Sequence, residues 1–93
     1  MKLYNGQTNF KLTLLTGSEL TEVESAVIKY KKPDGTAGEW AAQVVGEGVE
    51  KTFTNADNDL DIGKWQVWPY VVFNSGLISI GEAKQLIIYE QGK

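Results

Sequence analysis

The segment from Asp61 to Phe73 constrains the fold of this chain more than any other. It begins with Asp61, Gly63 and Trp65 at alternate positions and continues as a run of Val, Trp, Tyr and Phe, residues that are enriched in β-strands. Gly63 can adopt a backbone conformation that a residue with a Cβ atom resists, and Asp61 can accept hydrogen bonds from backbone N–H groups at a turn. The segment is therefore predicted to turn a corner and to continue as a long strand, with the ring of Trp65 in the core.

Shorter segments on both sides alternate apolar and polar residues, which is the pattern of half-buried strands. Turn sequences such as Pro33-Asp34-Gly35 separate them at intervals of about 8–12 residues, as in sandwiches and barrels. We therefore predict that residues 1–93 form a single domain, an all-β, immunoglobulin-like antiparallel β-sandwich of about seven strands. One predicted sheet contains Gln7–Thr16 and Val49–Thr54, and the other contains Val23–Lys32, Gly38–Val45, Gly63–Phe73 and Ala83–Glu90.

The same alternation selects the side chains that are expected to face the core. Residues 18–25 are predicted to form a polar loop with Leu20 and Val23 turned inward, although the spacing of Ser and Glu in this segment also allows one helical turn. The faces taken by Trp40 and Ile88 are left open. The predicted core consists of Phe10, Leu12, Leu14, Ala26, Ile28, Tyr30, Phe53, Leu60, Trp65, Val67, Val71 and Ile87.

The composition argues against several kinds of function. The chain has no Cys and no His, and its net charge is −3, with 12 acidic residues against 9 Lys and no Arg. It therefore lacks thiolate and imidazole groups, the commonest metal ligands and catalytic bases, and an acidic chain without Arg is a poor match to nucleic acid. No apolar run approaches the roughly 20 residues of a membrane span. We predict no enzymatic activity and no cofactor, and neither nucleic acid nor a membrane as a partner.

The acidic stretch from Asp57 to Asp61 is a candidate for a cation site, because carboxylates at alternate positions can converge on calcium. An EF-hand loop, however, has Gly at its sixth position and Glu at its twelfth. Counted from Asp57, the Gly comes one position late and Trp68 takes the twelfth position. A solvated loop with a capping Asp is the preferred interpretation, and no metal ligand is assigned.

Several short segments together resemble a known group of proteins. They are Lys31–Thr36 (Lys-Lys-Pro-Asp-Gly-Thr), Glu39-Trp40, Asp59–Val67, Tyr70–Phe73, Gly81-Glu82 and Ile88–Glu90. In this order they are similar to small immunoglobulin-like structural proteins of tailed phages and prophages, and more loosely to the Ig-like domain of phage baseplate upper proteins. The resemblance implies a non-enzymatic, virion-associated structural or assembly protein that acts through protein–protein contacts in the head, tail or baseplate.

Two further expectations accompany the resemblance. The first residues, Met1 to Gly6, lack the apolar stretch of a signal peptide, so the protein is expected to be made in the cytoplasm and incorporated into a phage particle. The chain departs from the pattern at Trp65, where an immunoglobulin corner more often has a Tyr whose hydroxyl bonds to the backbone. Burial of the Trp65 ring is expected, and the corner hydrogen bond is left open.

The candidate binding surface follows from the alternation of side chains along the central segment. If Trp65 and Val67 point inward, Trp68 and Tyr70 lie on the opposite, outer face of the sheet. Large aromatic side chains on such a face indicate contact with another protein subunit or with a sugar. The expected partners are other virion proteins or a second copy of the chain; with glycans as the partner, the chain would be a carbohydrate-binding or adhesion module. The predicted surface consists of Trp68, Tyr70, Lys29, Val27 and Val72.

Two alternatives to an open aromatic surface remain. A β-bulge near Pro69 would reverse the register and place Trp68 in the core. Alternatively, the aliphatic stems of Lys29 and Lys31 would cover both rings. Together with Lys32, these lysines are predicted to shield a sheet face and to deter pairing at an edge, in preference to forming a basic binding patch.

Overall fold

The structure is a computed structural model that describes residues 2–4, 10–17, 19–53 and 61–90. Within these ranges the chain forms nine β-strands and no helix, so none of these residues belongs to a helix that could cross a membrane. The strands are β1 (Lys2–Tyr4), β2 (Phe10–Leu15), β3 (Val23–Lys31), β4 (Ala37–Ala41), β5 (Gln43–Val45), β6 (Gly48–Phe53), β7 (Gly63–Phe73), β8 (Ile78–Ile80) and β9 (Lys84–Tyr89).

The strands form two sheets that pack face to face as a β-sandwich, which confirms the predicted fold class. The larger sheet has the order β1-β9-β7-β3-β4, with β8 also pairing with β7, and the smaller sheet has the order β2-β6-β5. Neighbouring strands are antiparallel except for β1, which runs parallel to β9. The predicted division into two sheets is correct except for Gly38–Val45. This segment changes sheets at Ala42, whose N–H donates to the carbonyl oxygen of Ala26 at 3.1 Å.

The core lies between the two sheets. Leu20 is buried as predicted, and Val23 and Trp40 pack against the buried cluster. The side chain of Phe10 and the whole of Leu60, both predicted core positions, lie outside what the structure describes. The buried hydrophobic residues are Leu3, Leu12, Leu14, Leu20, Ile28, Val49, Phe53, Trp65, Val67, Val71, Leu86 and Ile88.

The prediction that Ile87 lies in the core is wrong. In the register of β9 on β7, Leu86 lies opposite Trp65 and Ile88 lies opposite Gly63, so Leu86 and Ile88 face the core and Ile87 faces outward. Because successive side chains of a strand point to opposite faces, Ile87 cannot share the inner face with either neighbour.

Trp65 anchors the corner that leads into β7. Its side chain is 1% exposed, and its indole N–H donates to the carbonyl oxygen of Asp61 at 2.9 Å. The indole therefore makes a backbone hydrogen bond within the corner, as a Tyr hydroxyl does in immunoglobulin domains. The ring centroid of Trp65 lies 5.3 Å from that of Tyr30 and 5.7 Å from that of Trp40. Trp40 in turn makes an edge-to-face contact with Phe53 at 4.9 Å, which completes an aromatic cluster at this end of the core.

The turn at Pro33-Asp34-Gly35 joins β3 to β4 as predicted. The N–H of Gly35 donates to the carbonyl oxygen of Lys32 at 2.9 Å, and Gly35 has a φ of 91°, which favours Gly. The carboxylate of Asp34 accepts a hydrogen bond from the N–H of Thr36 at 2.9 Å. This hydrogen bond is the main reason why the pKa of the Asp34 carboxyl is lowered from 3.8.

Candidate binding surface

Strand β7 divides its side chains between the two faces of the larger sheet. Trp65, Val67, Pro69 and Val71 are buried. The alternate residues Trp68, Tyr70 and Val72 are half-buried and lie on the outer face. The same strand therefore supplies both the central core side chains and the aromatic side chains of the candidate surface.

The ladder between β3 and β7 rules out a register change at Pro69. Pairing is continuous from Ser25 opposite Val72 to Lys31 opposite Gln66, and the one shift in this ladder lies between Val23 and Ser25. The alternative in which a bulge turns Trp68 into the core is therefore wrong.

Pro69 is tolerated inside this sheet because the side of its backbone that lacks an N–H donor faces a gap between two neighbouring strands. The N–H of Gly81 donates to the carbonyl oxygen of Pro69 at 3.1 Å, so the backbone of Pro69 faces the β8–β9 side. At this point residues 81–83 separate β8 from β9. The lost donor therefore falls at a break in the neighbouring strands and not within a continuous ladder.

The five predicted surface residues lie on neighbouring strands of one face. Val27 is directly opposite Tyr70, and Lys29 is directly opposite Trp68. Val72 is the next outward residue along β7. Because directly opposed residues of two strands point to the same face, the outer face carries all five side chains together.

Lys29 partly covers this surface. Its ammonium nitrogen lies 4.1 Å from the centroid of the Tyr70 ring, a distance at which a cation is attracted to an aromatic face. This contact agrees only in part with the alternative in which the stems of Lys29 and Lys31 cover both rings, since it joins the Lys29 ammonium to the Tyr70 ring. On the other neighbouring strand, β4, Glu39 lies opposite Lys29 and places an acidic residue next to it.

Strand β8 extends the surface with two residues that were missed by the sequence analysis. Ile80 lies opposite Tyr70 and Ile78 lies opposite Val72, and they are 61% and 52% exposed. The alternation in Ile78-Ser79-Ile80 is the signal that could have indicated an apolar outer edge. We use "outer surface" for the group formed by Val27, Lys29, Trp68, Tyr70, Val72, Ile78 and Ile80.

The expectation that the lysines deter pairing at a sheet edge is wrong for Lys29 and Lys31, whereas Lys29 does shield part of a sheet face. Strand β3 lies between β7 and β4, so it is an inner strand of the larger sheet. Beyond the end of β3, the Lys32 ammonium lies 3.7 Å from the Asp61 carboxylate and 5.7 Å from the centroid of the Trp65 ring. Lys32 therefore covers the corner, and Lys29 covers Tyr70.

The structure provides no metal centre in the part of the chain that it describes. No three residues of the types His, Cys, Asp and Glu come close enough there to hold a metal ion. Most of the acidic stretch proposed as a calcium candidate, from Asp57 to Leu60, lies outside the described residues. Its last member, Asp61, is exposed and has Lys32 as an ionic partner.

Comparison with known proteins supports the fold and not the predicted biological role. No family model matches the chain, and no curated protein matches it. A solved structure, that of CopC from Methylosinus trichosporium OB3b, superposes with a TM-score of 0.63 at 14% sequence identity, covering 99% of this chain and 85% of that one. At this identity the likeness establishes the β-sandwich fold alone.

The expectation of a phage or prophage virion protein is contradicted by this comparison. The matching structure is that of CopC, which has no phage link.

The residues of this chain do not fit a copper site. Copper favours imidazole nitrogen and the sulfur of Cys or Met, and the chain has no His, no Cys and 1 Met. Apart from one Met thioether, the chain therefore offers none of the nitrogen and sulfur side-chain ligands that copper favours.

Proposed function

We propose that this protein is a non-catalytic binding domain whose outer surface docks a protein partner. The observation that supports the proposal is the common placement of Trp68, Tyr70, Ile78 and Ile80 on one face of the larger sheet. Trp and Tyr are enriched among the residues that dominate the energetics of protein interfaces. The two isoleucines are more than half exposed in the isolated chain, so apolar area remains for a partner to cover.

The surroundings of the aromatic rings favour a protein over a sugar as the partner. A sugar stacks on an open aromatic face, whereas one face of Tyr70 is covered by the Lys29 ammonium at 4.1 Å. The residues opposite Tyr70 on its two sides are Val27 and Ile80, which offer aliphatic contacts and no side-chain hydrogen bonds. Glycan binding is the second candidate, because Trp68 and Tyr70 are successive outward aromatics on one strand.

The test compares two double variants with the wild type. Trp68→Ser with Tyr70→Ser changes the outer surface, and Val44→Ser with Val45→Ser is the matched control, because it removes two exposed apolar side chains from β5 of the other sheet. A partner recovered with the wild type is purified, and its dissociation constant is measured for all three proteins. We expect the outer-surface variant to bind at least about 100-fold more weakly, the loss typical of interface hot spots, and the control to bind as the wild type does.

Equal binding by the outer-surface variant and the wild type would contradict the proposal. The thermal melts of both variants are recorded, so that loss of binding through unfolding is recognised. An NMR titration with a panel of oligosaccharides examines the second candidate, and saturable shifts of the Trp68 indole N–H signal would favour a sugar as the ligand.

A further inference from the structure

The exposed edge of β8 has backbone hydrogen-bonding groups directed away from the sheet. The N–H of Phe73 donates to the carbonyl oxygen of its direct partner Leu77 at 2.9 Å, and Gly81 donates to its direct partner Pro69 at 3.1 Å. Hydrogen-bonded pairs alternate with non-hydrogen-bonded pairs in an antiparallel ladder. The N–H and C=O groups of Ile78 and Ile80 therefore point away from β7.

This edge is open in the part of the chain that the structure describes. Strand β8 pairs with β7 alone, and β1 continues the sheet only beside residues 87–89 of β9. Unpaired N–H and C=O groups beside exposed apolar side chains form a template for another strand. Natural sheets protect such edges with charged residues or Pro, and Ile78-Ser79-Ile80 contains neither.

Two other sheet edges, those of β4 and β2, carry charged side chains. Along β4, the backbone groups of Ala37, Glu39 and Ala41 point outward by the same alternation, because Ala42 is hydrogen-bonded to Ala26. Symmetric pairing of this edge centred on Glu39 would bring two carboxylates directly opposite each other, which is unfavourable. Along β2, the outward positions include Lys11, which has an ionic partner in Glu50 at 3.9 Å.

We propose that β8 pairs with β8 of a second copy of this chain, in an antiparallel, two-fold symmetric arrangement centred on Ser79. In this register Ile78 of each copy lies opposite Ile80 of the other copy, and both pairs exchange two backbone hydrogen bonds. No charged residue meets a like charge, because Glu82 comes opposite Gly76 and Lys84 comes opposite Asn74. The surface is thus complementary to itself, as a two-fold interface requires.

The contact between the two copies is small, so the dimer is weak and depends on concentration. Three paired residues from each copy bury less than the roughly 1,200 Å² of a stable interface, and we expect a dissociation constant of about 0.1–1 mM. The two outer surfaces then lie side by side on the same face of a joined sheet. The inference does not depend on the proposed function, because it concerns the purified protein without any other partner.

Sedimentation equilibrium and amide hydrogen exchange test the inference in the wild-type protein. We expect the average mass to rise toward that of a dimer between about 20 μM and 1 mM, the range that brackets the expected affinity. The amides of Ile78 and Ile80 should exchange rapidly in dilute protein and slowly in concentrated protein. The amide of Ser79, which faces β7, should be protected equally at both concentrations. A protein that stays monomeric at 1 mM overturns the inference.

Charge-pair variants test the register. Ile78→Lys with Ile80→Lys places lysines opposite each other in both pairs, so we expect at least a 10-fold weaker dimer. Ile78→Lys with Ile80→Glu places each lysine opposite a glutamate, so dimerisation should return. Leu77→Lys is the matched control, because Leu77 is 71% exposed and would come opposite Gly81.

Each of the two charged double variants can refute the proposed register of the β8–β8 pairing. The register is refuted if the double-lysine variant dimerises as the wild type does. It is also refuted if the lysine–glutamate variant, shown by circular dichroism to be folded, stays monomeric. The variant Trp68→Ser with Tyr70→Ser should retain the dimer, which separates this inference from the proposed protein-docking function.

Discussion

Replacing Trp65 with Ala is expected to remove most of the stability of the domain. The side chain is 1% exposed, contacts the Tyr30 and Trp40 rings, and donates a hydrogen bond to Asp61. Truncation of a buried Trp typically costs about 3–5 kcal/mol, which includes the cavity that is left. A chain of 93 residues has a free energy of unfolding of roughly 5–14 kcal/mol. The variant should therefore be marginally stable or unfolded at 25 °C.

Two further variants separate ring packing from the corner hydrogen bond. Trp65→Phe keeps an aromatic ring in the core but removes the indole N–H, so the carbonyl oxygen of Asp61 loses its donor and about 1–3 kcal/mol is expected to be lost. Trp68→Ala is the matched control on the same strand, because its half-buried side chain lies on the outer face. The control should lose less stability than either Trp65 variant.

Urea denaturation followed by far-ultraviolet circular dichroism measures these differences, since this signal does not depend on which Trp remains. The midpoint and slope together give the free energy of unfolding for each variant. The reasoning is refuted if Trp65→Ala loses less than about 1 kcal/mol, well below the cost of truncating a buried Trp. It is also refuted if Trp68→Ala is the more damaging change.

Three other predictions follow from the composition, the turn and the close packing at β8. Millimolar calcium or copper(II) should leave the melting temperature unchanged, and a stabilising shift of several degrees would reveal a metal site. Hydrogen bonding from Thr36 lowers the pKa of the Asp34 carboxyl in the folded protein, so the ionised carboxylate stabilises the fold. This stabilisation is complete at pH values above the pKa of Asp34 in the unfolded chain, and it is lost as the pH falls through the lower pKa of the folded protein. An NMR titration should give Asp34 a pKa below 3.8. The Asp34→Asn variant should no longer lose this stabilisation when the pH is lowered. Gly81→Ala should cost about 1–3 kcal/mol, because the added Cβ would overlap the ring of Pro69. Gly46→Asn should cost less than Gly81→Ala in the same urea assay, because Gly46 has open space around it and a φ of 60° that Asn tolerates.

Local sequence patterns were sufficient to predict most of the strands and the corner. The turn at Pro33-Asp34-Gly35 and the burial of Trp65 depend on residues that are close in sequence, and both were predicted correctly. The outward placement of Trp68 and Tyr70 also followed, since alternation carries the orientation of Trp65 along the same strand. The five residues predicted for the candidate surface do lie on one face.

Other features depend on which strands become neighbours. Leu86-Ile87-Ile88 is a continuous apolar run, so alternation has two solutions, and the register against Trp65 selects the one that turns Ile87 outward. The lysines of β3 were expected at an edge, whereas the strand order places them inside the sheet and leaves Ile78 and Ile80 at an edge.

The physical reason is the range of the interactions. Side-chain alternation and turn geometry are set by the conformations of adjacent residues, and a sequence pattern records them directly. Strand order, register and edge exposure are set by hydrogen bonds between backbone groups far apart in the chain, and every non-proline residue offers the same N–H and C=O groups for them. Many pairings are therefore compatible with one pattern of alternation, and the packing of the two sheets around a common core selects among them.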